Sequence, residues 1–488
     1  MLNNRELTYI PQTITSNAVL TYFAALVITN LLYSPYAMEW YFWLFGIVEV
    51  CVFFLLGNYC SRNWYAISEQ QFVKRLVIVS LLLRVAYVFF SCWFYNDMTG
   101  SLLEFNAADS ESYDELAKYG ALCLREDHWD FVHRMNLYAG GHVAFSDSGY
   151  TAYLAVIYWL TNDSVLVVRL IKAVCSTLTV YLVYCFSQRN FGESTARIAA
   201  ILCMLMPNLI YYCGIHLKET EMVFLAVLFA ERADALLQRG RFAIWPTFFL
   251  IVITFVMFTF RTALAIVLVL ALLVTLVLSS NKVVTWGKRI LVIIFAIGFI
   301  MTMLMQNENI FNEVQTMAQT DIRAQQTGNM QWRSTRGGKG NAKQRFAKYA
   351  TATVFAPMIF TIPFPTLVNS GQQEGQRMIC GGNFCKNITS FFTVMALFML
   401  LFSGDWRKYV LPISILCGYL VILVFSSFAH AERFHLPTIP FAMMFAAYAM
   451  AKFNERPHYK RWYTYWLIAM FLGAILWNWF KLAGRGMV

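Results

Sequence analysis

Three short polar runs, far apart in the chain, hold residue types that move protons or grip anions. The first is Asp109-Ser-Glu111-Ser-Tyr113-Asp-Glu-Leu-Ala117. Asp109 reads as the N-cap of a helix, with Glu111 in its first turn, where the helix dipole favours carboxylates. Tyr113 and Ala117 follow at i+4 and i+8, on one face. A carboxylate held at a helix start beside an aromatic ring suits a general base; the same spacing also describes an ordinary capped amphipathic helix. The second run is His216-Leu-Lys218-Glu219, where a Lys–Glu pair abuts apolar residues at a cost that function usually explains. Its plainer reading is a snorkelling Lys with a capping Glu. The third is His430-Ala-Glu432-Arg433-Phe-His435, and an Arg flanked by histidines is a natural phosphate clamp, because its fork is bidentate and always charged. An interfacial anchor is the alternative there. Arg261, between two apolar runs, joins this group, whereas Arg84, Arg169 and Lys172 lie in or near apolar runs and read as partners for carboxylates or headgroups.

The elements that must position these residues are membrane helices. Of 488 residues, 59% are hydrophobic and 13% charged, against roughly 25% charged in a soluble domain. Disorder is excluded, since it needs low hydrophobicity and high charge. The net charge of +11 is not a nucleic-acid footprint, because the basic residues punctuate apolar runs instead of clustering on a polar face. A span needs about 20 mostly apolar residues. Such blocks lie near 18–36, 41–59, 74–95, 164–186, 195–213, 219–236, 243–260, 262–279, 289–306, 388–403, 409–428, 434–452 and 463–480. The expectation is therefore an all-α polytopic membrane protein of about 13 transmembrane helices.

Short loops rich in Lys and Arg stay cytoplasmic, and with a cytoplasmic N-terminus those holding Arg62, Arg189, Arg197, Arg232, Lys282, Arg407 and Arg461 share one side. Two long segments, about 96–163 and 307–387, then face outward and carry amphipathic helices. Two spans at 1–73 precede a core of 74–306, and 388–488 holds the last spans. Gly149–Leu160 is too short to cross and Thr351–Val368 holds three prolines, so both are expected to lie against the outer membrane surface. Six of the seven histidines fall on the outer side. The first outer segment is acidic. The second is basic over 321–350, where Arg333 and Arg336 precede Gly337-Gly338-Lys339-Gly340, and these three cations suit phosphate contact in a mobile loop. Cys380 and Cys385 bracket a short outer turn that a disulfide would close.

In order along the chain come Asp109-x-x-x-Tyr113-x-x-x-Ala117, Gly149-Tyr150-x-x-Tyr-Leu-Ala155, Arg169-Leu-Ile, Ala196-Arg197 with Pro207, Lys218-Glu219, and Arg433-Phe-x-Leu-Pro437-x-x-Pro440. This series resembles the polyprenyl-phosphate-sugar-dependent glycosyltransferases of the GT-C superfamily, among them the protein O-mannosyltransferases and lipid A aminoarabinose transferases. The likeness runs through residues 84–260 and 430–446. It implies a GT-C-like bundle and inverting transfer of one sugar from a membrane polyprenyl phosphate to an outer-face acceptor. Asp109 would match the family's catalytic carboxylate. Lys218, Arg433 and Arg261 would hold the leaving phosphate, with Glu219, Tyr113, Glu111, His216 and His435 in support. Asp-Ser follows Ala108 where the O-mannosyltransferases have a paired Asp-Glu, so their acceptor class does not carry over.

No cofactor is required by this pattern, and a divalent metal is neither demanded nor excluded. The partners implied are the lipid bilayer, the polyprenyl-phosphate sugar and a glycolipid, glycan or protein acceptor, with no nucleic acid. The absence of a secretory signal fits a bacterial inner membrane with a periplasmic active face. Two other readings stay open: an oligosaccharide polymerase or ligase using a diphosphate-linked glycan, and a lipid or sugar transporter, for which internal repeats would be expected.

Overall fold

Away from water an apolar chain can satisfy its backbone only as helix or closed barrel, and this chain takes the helical route. A computed structural model describes residues 9–141, 145–238, 244–278, 358–371, 373–425, 431–455, 457–483 and 485–488. The first half comprises α1 (Gln12–Leu32), α2 (Trp40–Asn63), α3 (Glu69–Thr99), α4 (Ala108–Arg125), α5 (Phe131–Tyr138), α6 (Phe145–Thr161), α7 (Val165–Phe191), α8 (Glu193–Leu205) and α9 (Pro207–Tyr211). There follow α10 (Glu219–Gln238), α11 (Ile244–Phe260), α12 (Thr262–Leu278), α13 (Glu374–Met378), α14 (Cys380–Ser403), α15 (Val410–Phe425), α16 (Glu432–His435), α17 (Ile439–Ala451) and α18 (His458–Ala483). Among the described residues there is no strand, only one bridge between Ala37 and Val368.

Among the described residues, eight helices are long and apolar enough to cross a membrane: α1, α2, α3, α7, α14, α15 with its preceding turn, the run Glu432–Glu455, and α18. The pair α8 and α9 is bent by 51° and would make a ninth. α11 and α12 are apolar but shorter. α10 fills the expected span at 219–236 but carries Glu219, Glu221, Glu231, Arg232 and Asp234. The expected span at 289–306 and the basic segment 321–350 lie outside the described residues.

The two ends of the bundle differ. At one end Arg197 donates to the carbonyls of Trp64 (2.9 Å), Tyr65 (3.0 Å) and Ile67 (3.0 Å), and Gln188 reaches Glu69. The link before α3 and the link between α7 and α8 therefore meet there. α3 leads from this end to the other, where α4, α6 and the link before α10 meet. α6 packs on α4 and α11 through Tyr150, Leu154 and Tyr158. Gly149 makes that approach close: a Cβ there would run into the Thr259 side chain.

Arg84 shows why a cation is buried inside α3. Pro207 has no N–H to give to the carbonyl of Cys203, so the last turn of α8 is left with unpaired acceptors. Arg84 Nη2 donates to that carbonyl at 3.3 Å and Nη1 to that of Met204 at 3.2 Å, while Nε reaches Ser176 Oγ at 2.7 Å. Its expected carboxylate or headgroup partner is thus replaced by the ends of a broken helix. Arg169 likewise donates to the Leu102 carbonyl.

Two expectations for the second half are corrected. The described part of Thr351–Val368 does not lie against the membrane surface. Ile362, Phe364, Leu367 and Val368 are buried in the protein, because backbone without helical pairing must find partners there. Lys386 donates to the Ile362 carbonyl (2.6 Å), Asn387 to that of Pro363 (3.0 Å), and Asn478 to that of Pro365 (3.0 Å) while accepting from Leu367 N–H (2.8 Å). Cys380 and Cys385 form no disulfide. Both lie in α14, which begins eight residues earlier than hydropathy indicates, and both thiols are free, with the Tyr22 hydroxyl 3.3 Å from Cys380 Sγ. The N-terminal spans are packed into the rest: α1 lies on α18 and α2 on α14, where Glu49 Oε2 accepts from Gly382 N–H at 2.9 Å.

Candidate functional site

The site is assembled at the end of the bundle opposite the Arg197 links. α4 starts after Asn106, whose φ of 53° turns the chain, and its cap is Ala107, not Asp109. Asp109 lies within the first turn together with Glu111, so it keeps the favourable dipole while its carboxylate points outward. There Arg433 Nη1 donates to Asp109 Oδ2 at 2.5 Å, joining positions 324 residues apart. Tyr113, one turn on, turns inward: its hydroxyl donates to Asp147 Oδ1 at 2.8 Å and its ring meets Tyr150 edge-on. Burial first, then Asp147, pushes the Tyr113 phenol well above its ordinary range, so it stays a proton-bearing donor.

Lys218 is buried and fully used. Its ammonium donates to the carbonyls of Ser146 (2.7 Å) and Phe260 (2.7 Å) and to the Asp147 carboxylate. An ammonium has three N–H groups, so none is left for a ligand. Lys218 thereby ties the start of α10 to the end of α11 and the start of α6. Burial lowers its proton affinity, and Asp147 opposes that shift. Lys172 acts similarly one step back: it donates to the carbonyls of Ile215 (2.8 Å) and Leu217 and lies 3.8 Å from Glu221, satisfying the non-helical link that carries His216 and Lys218. Glu219 is 3% exposed, and its Oε2 has no hydrogen-bond partner.

Arg433 and Arg261 share one ring. Their guanidinium carbons lie 4.8 Å and 4.4 Å from the centroid of Phe434. Arg261 comes from the break between α11 and α12, where its own N–H still pairs with Met257 at 2.7 Å. Glu219 is near enough to act on the charge of Arg433. His435, the next polar residue of α16, is buried and points away from solvent.

Behind this face runs a polar chain that the residue pattern did not reveal. Tyr158 donates to Asp114 Oδ1 at 2.5 Å, and its oxygen lies 3.3 Å from His216 Nε2. With the phenolic proton spent on Asp114, we assign the imidazole N–H to Nε2. Burial, with Lys172, Arg169 and Lys118 nearby, holds His216 well below its ordinary range, so it is neutral and is no anion-binding cation. Glu104 accepts from the His216 backbone N–H at 3.1 Å and from the Ser110 hydroxyl. The first-loop helix and the link before α10 are thus locked together.

Asp109, Tyr113, Lys218, Glu219, Arg261, Arg433 and Asp147 therefore meet at one end of the bundle, with Glu111 exposed beside them. Arg333, Arg336 and Lys339 lie outside the described residues. Asp147, Tyr158, Asp114 and Glu104 were visible only as acidic-loop or apolar-run residues. The one signal for Asp147 was its place just before the apolar run opened by Gly149, which marks a helix start and no more. Among the described residues no group of three or more His, Cys, Asp or Glu gathers to hold a metal ion.

Residues 382–485, which include Lys386, Arg433, all but the first two residues of α14, and α15 through α18, are similar to the Alg9-like mannosyltransferase family. No curated protein matches the chain. A glycosyltransferase match inside a bundle of membrane-crossing helices displaces the transporter reading. The chain is a multi-pass membrane protein, and the match over its last spans supports a glycosyltransferase that uses a lipid-linked sugar donor.

Proposed function

We propose that the enzyme moves one sugar from a polyprenyl phosphate to a hydroxyl acceptor on the outer, periplasmic face of a bacterial inner membrane, with inversion, and that Asp109 is its general base. The observation that carries this reading is the meeting of Asp109 with Arg433 beside Arg261. The acceptor oxygen attacks the anomeric carbon opposite the departing phosphate, and its proton passes to Asp109. The bond from that carbon to the phosphate oxygen breaks, and its electron pair leaves with the polyprenyl phosphate. The phosphate gains charge as it leaves, and Arg433 and Arg261 answer that charge where it develops. Lys218 serves by position: with its N–H groups committed to Ser146, Asp147 and Phe260, it fixes the break that presents Arg261.

Asp109→Asn should lower transfer from a purified polyprenyl-phosphate sugar by roughly 10²–10⁴-fold, with the melting temperature unchanged. Near-normal transfer by that variant would remove Asp109 from the role.

A further inference from the structure

The proposed base and the proposed phosphate cation occupy one another. Arg433 spends one N–H on Asp109 Oδ2, the group that has to take the acceptor's proton. The pair meets water on both sides, with side chains 34% and 53% exposed, and such pairs add little to stability. Arg433 does not need Asp109 to stay in place. Phe434 lies under its guanidinium at 4.8 Å, and the buried, unpartnered Oε2 of Glu219 supplies negative charge nearby. Only one tooth of the fork is engaged, whereas a phosphate ester offers two oxygens that match both teeth. Arg261, on the same ring, stands ready as a second cation.

We infer that this ion pair is a latch opened by the phosphate ester of the sugar donor. The phosphate takes both arms of Arg433, Asp109 is released, and the carboxylate is then free to accept a proton. No bond or proton changes hands in the exchange itself. The inference rests on the roles given above to Asp109 and Arg433. It goes further in fixing an order: the lipid-linked sugar binds first, and without it the enzyme has no free base to activate an acceptor or water.

The test is carbodiimide-driven amine labelling of Asp109 in the full-length, detergent-solubilised protein, followed by peptide mass spectrometry. Samples contain no addition, polyprenyl phosphate, or inorganic phosphate at the same concentration, and lipid binding is measured in parallel. Labelling of Asp109 should rise several-fold with the lipid while that of exposed Asp97 stays constant. Acceleration by the lipid alone assigns the latch to the lipid headgroup, and acceleration by both additions assigns it to the phosphate group itself. In Arg433→Gln, Asp109 should label fast in every sample; the wild-type comparison stands without this variant. Bound lipid with unchanged or slower labelling overturns the latch and leaves the transferase reading intact. Failure of the lipid to bind overturns both.

Discussion

Cations play two parts in this protein, and their surroundings tell them apart. Arg84, Lys172, Lys218 and Lys386 are buried, and each donates to backbone carbonyls where a helix is broken or absent. Arg433 is partly open to water, touches a single carboxylate and rests on a ring. The first kind completes the backbone's hydrogen bonding at sites that water cannot reach. The second kind keeps bonding capacity in reserve. A buried charge in a membrane bundle is therefore no evidence of catalysis until its acceptors have been counted.

The contrast can be attacked from its strongest point downward. Lys218→Met should be the most damaging change, because it leaves the carbonyls of Ser146 and Phe260 without their donor and takes the cation from Asp147, which keeps only the Tyr113 hydroxyl; a loss of about 3–5 kcal/mol is expected, read as a fall in melting temperature in detergent. If Lys218→Met instead keeps full stability, the division between the two kinds of cation fails. Tyr158→Phe removes the hydroxyl between Asp114 and His216 and should cost about 1–3 kcal/mol, measured in the same way. His216 supplies a pH test. Because the folded state holds it neutral, only the unfolded chain takes up its proton as pH falls. Stability should drop by up to about 1.4 kcal/mol per unit below about pH 6.5, and His216→Gln should flatten that slope. Arg433→Gln should change stability least, by less than about 1 kcal/mol, while transfer collapses. An Arg433 variant that unfolds would move this residue into the structural class.

Much of the layout was legible in the amino-acid order. Apolar blocks locate the helices, and Asp109, Lys218 and Arg433 stand out because charged residues beside apolar runs are rare. Contacts across distant segments were not legible. Asp147 to Lys218, or Tyr158 to Asp114, has no periodic signature, since each is set by how helices pack and not by spacing within one. Lys218 and Arg433 look alike in the sequence, each beside a Glu and near a His. Only the number of acceptors around them separates brace from clamp. The start of α14 was missed for a similar reason. Lys386 and Asn387 look like loop residues, yet they point from a helix into the polar backbone at 361–363.

The contact between Glu49 and Gly382 bears on how the protein is made. α2 leaves the ribosome more than 300 residues before its partner. At 5–20 residues per second the interval is on the order of tens of seconds. During that time an inserted α2 holds a carboxylate in the bilayer with no amide to receive it, and its remaining apolar residues must carry that cost. Each further polar substitution in α2 should therefore lower the yield of inserted protein before it affects the finished enzyme.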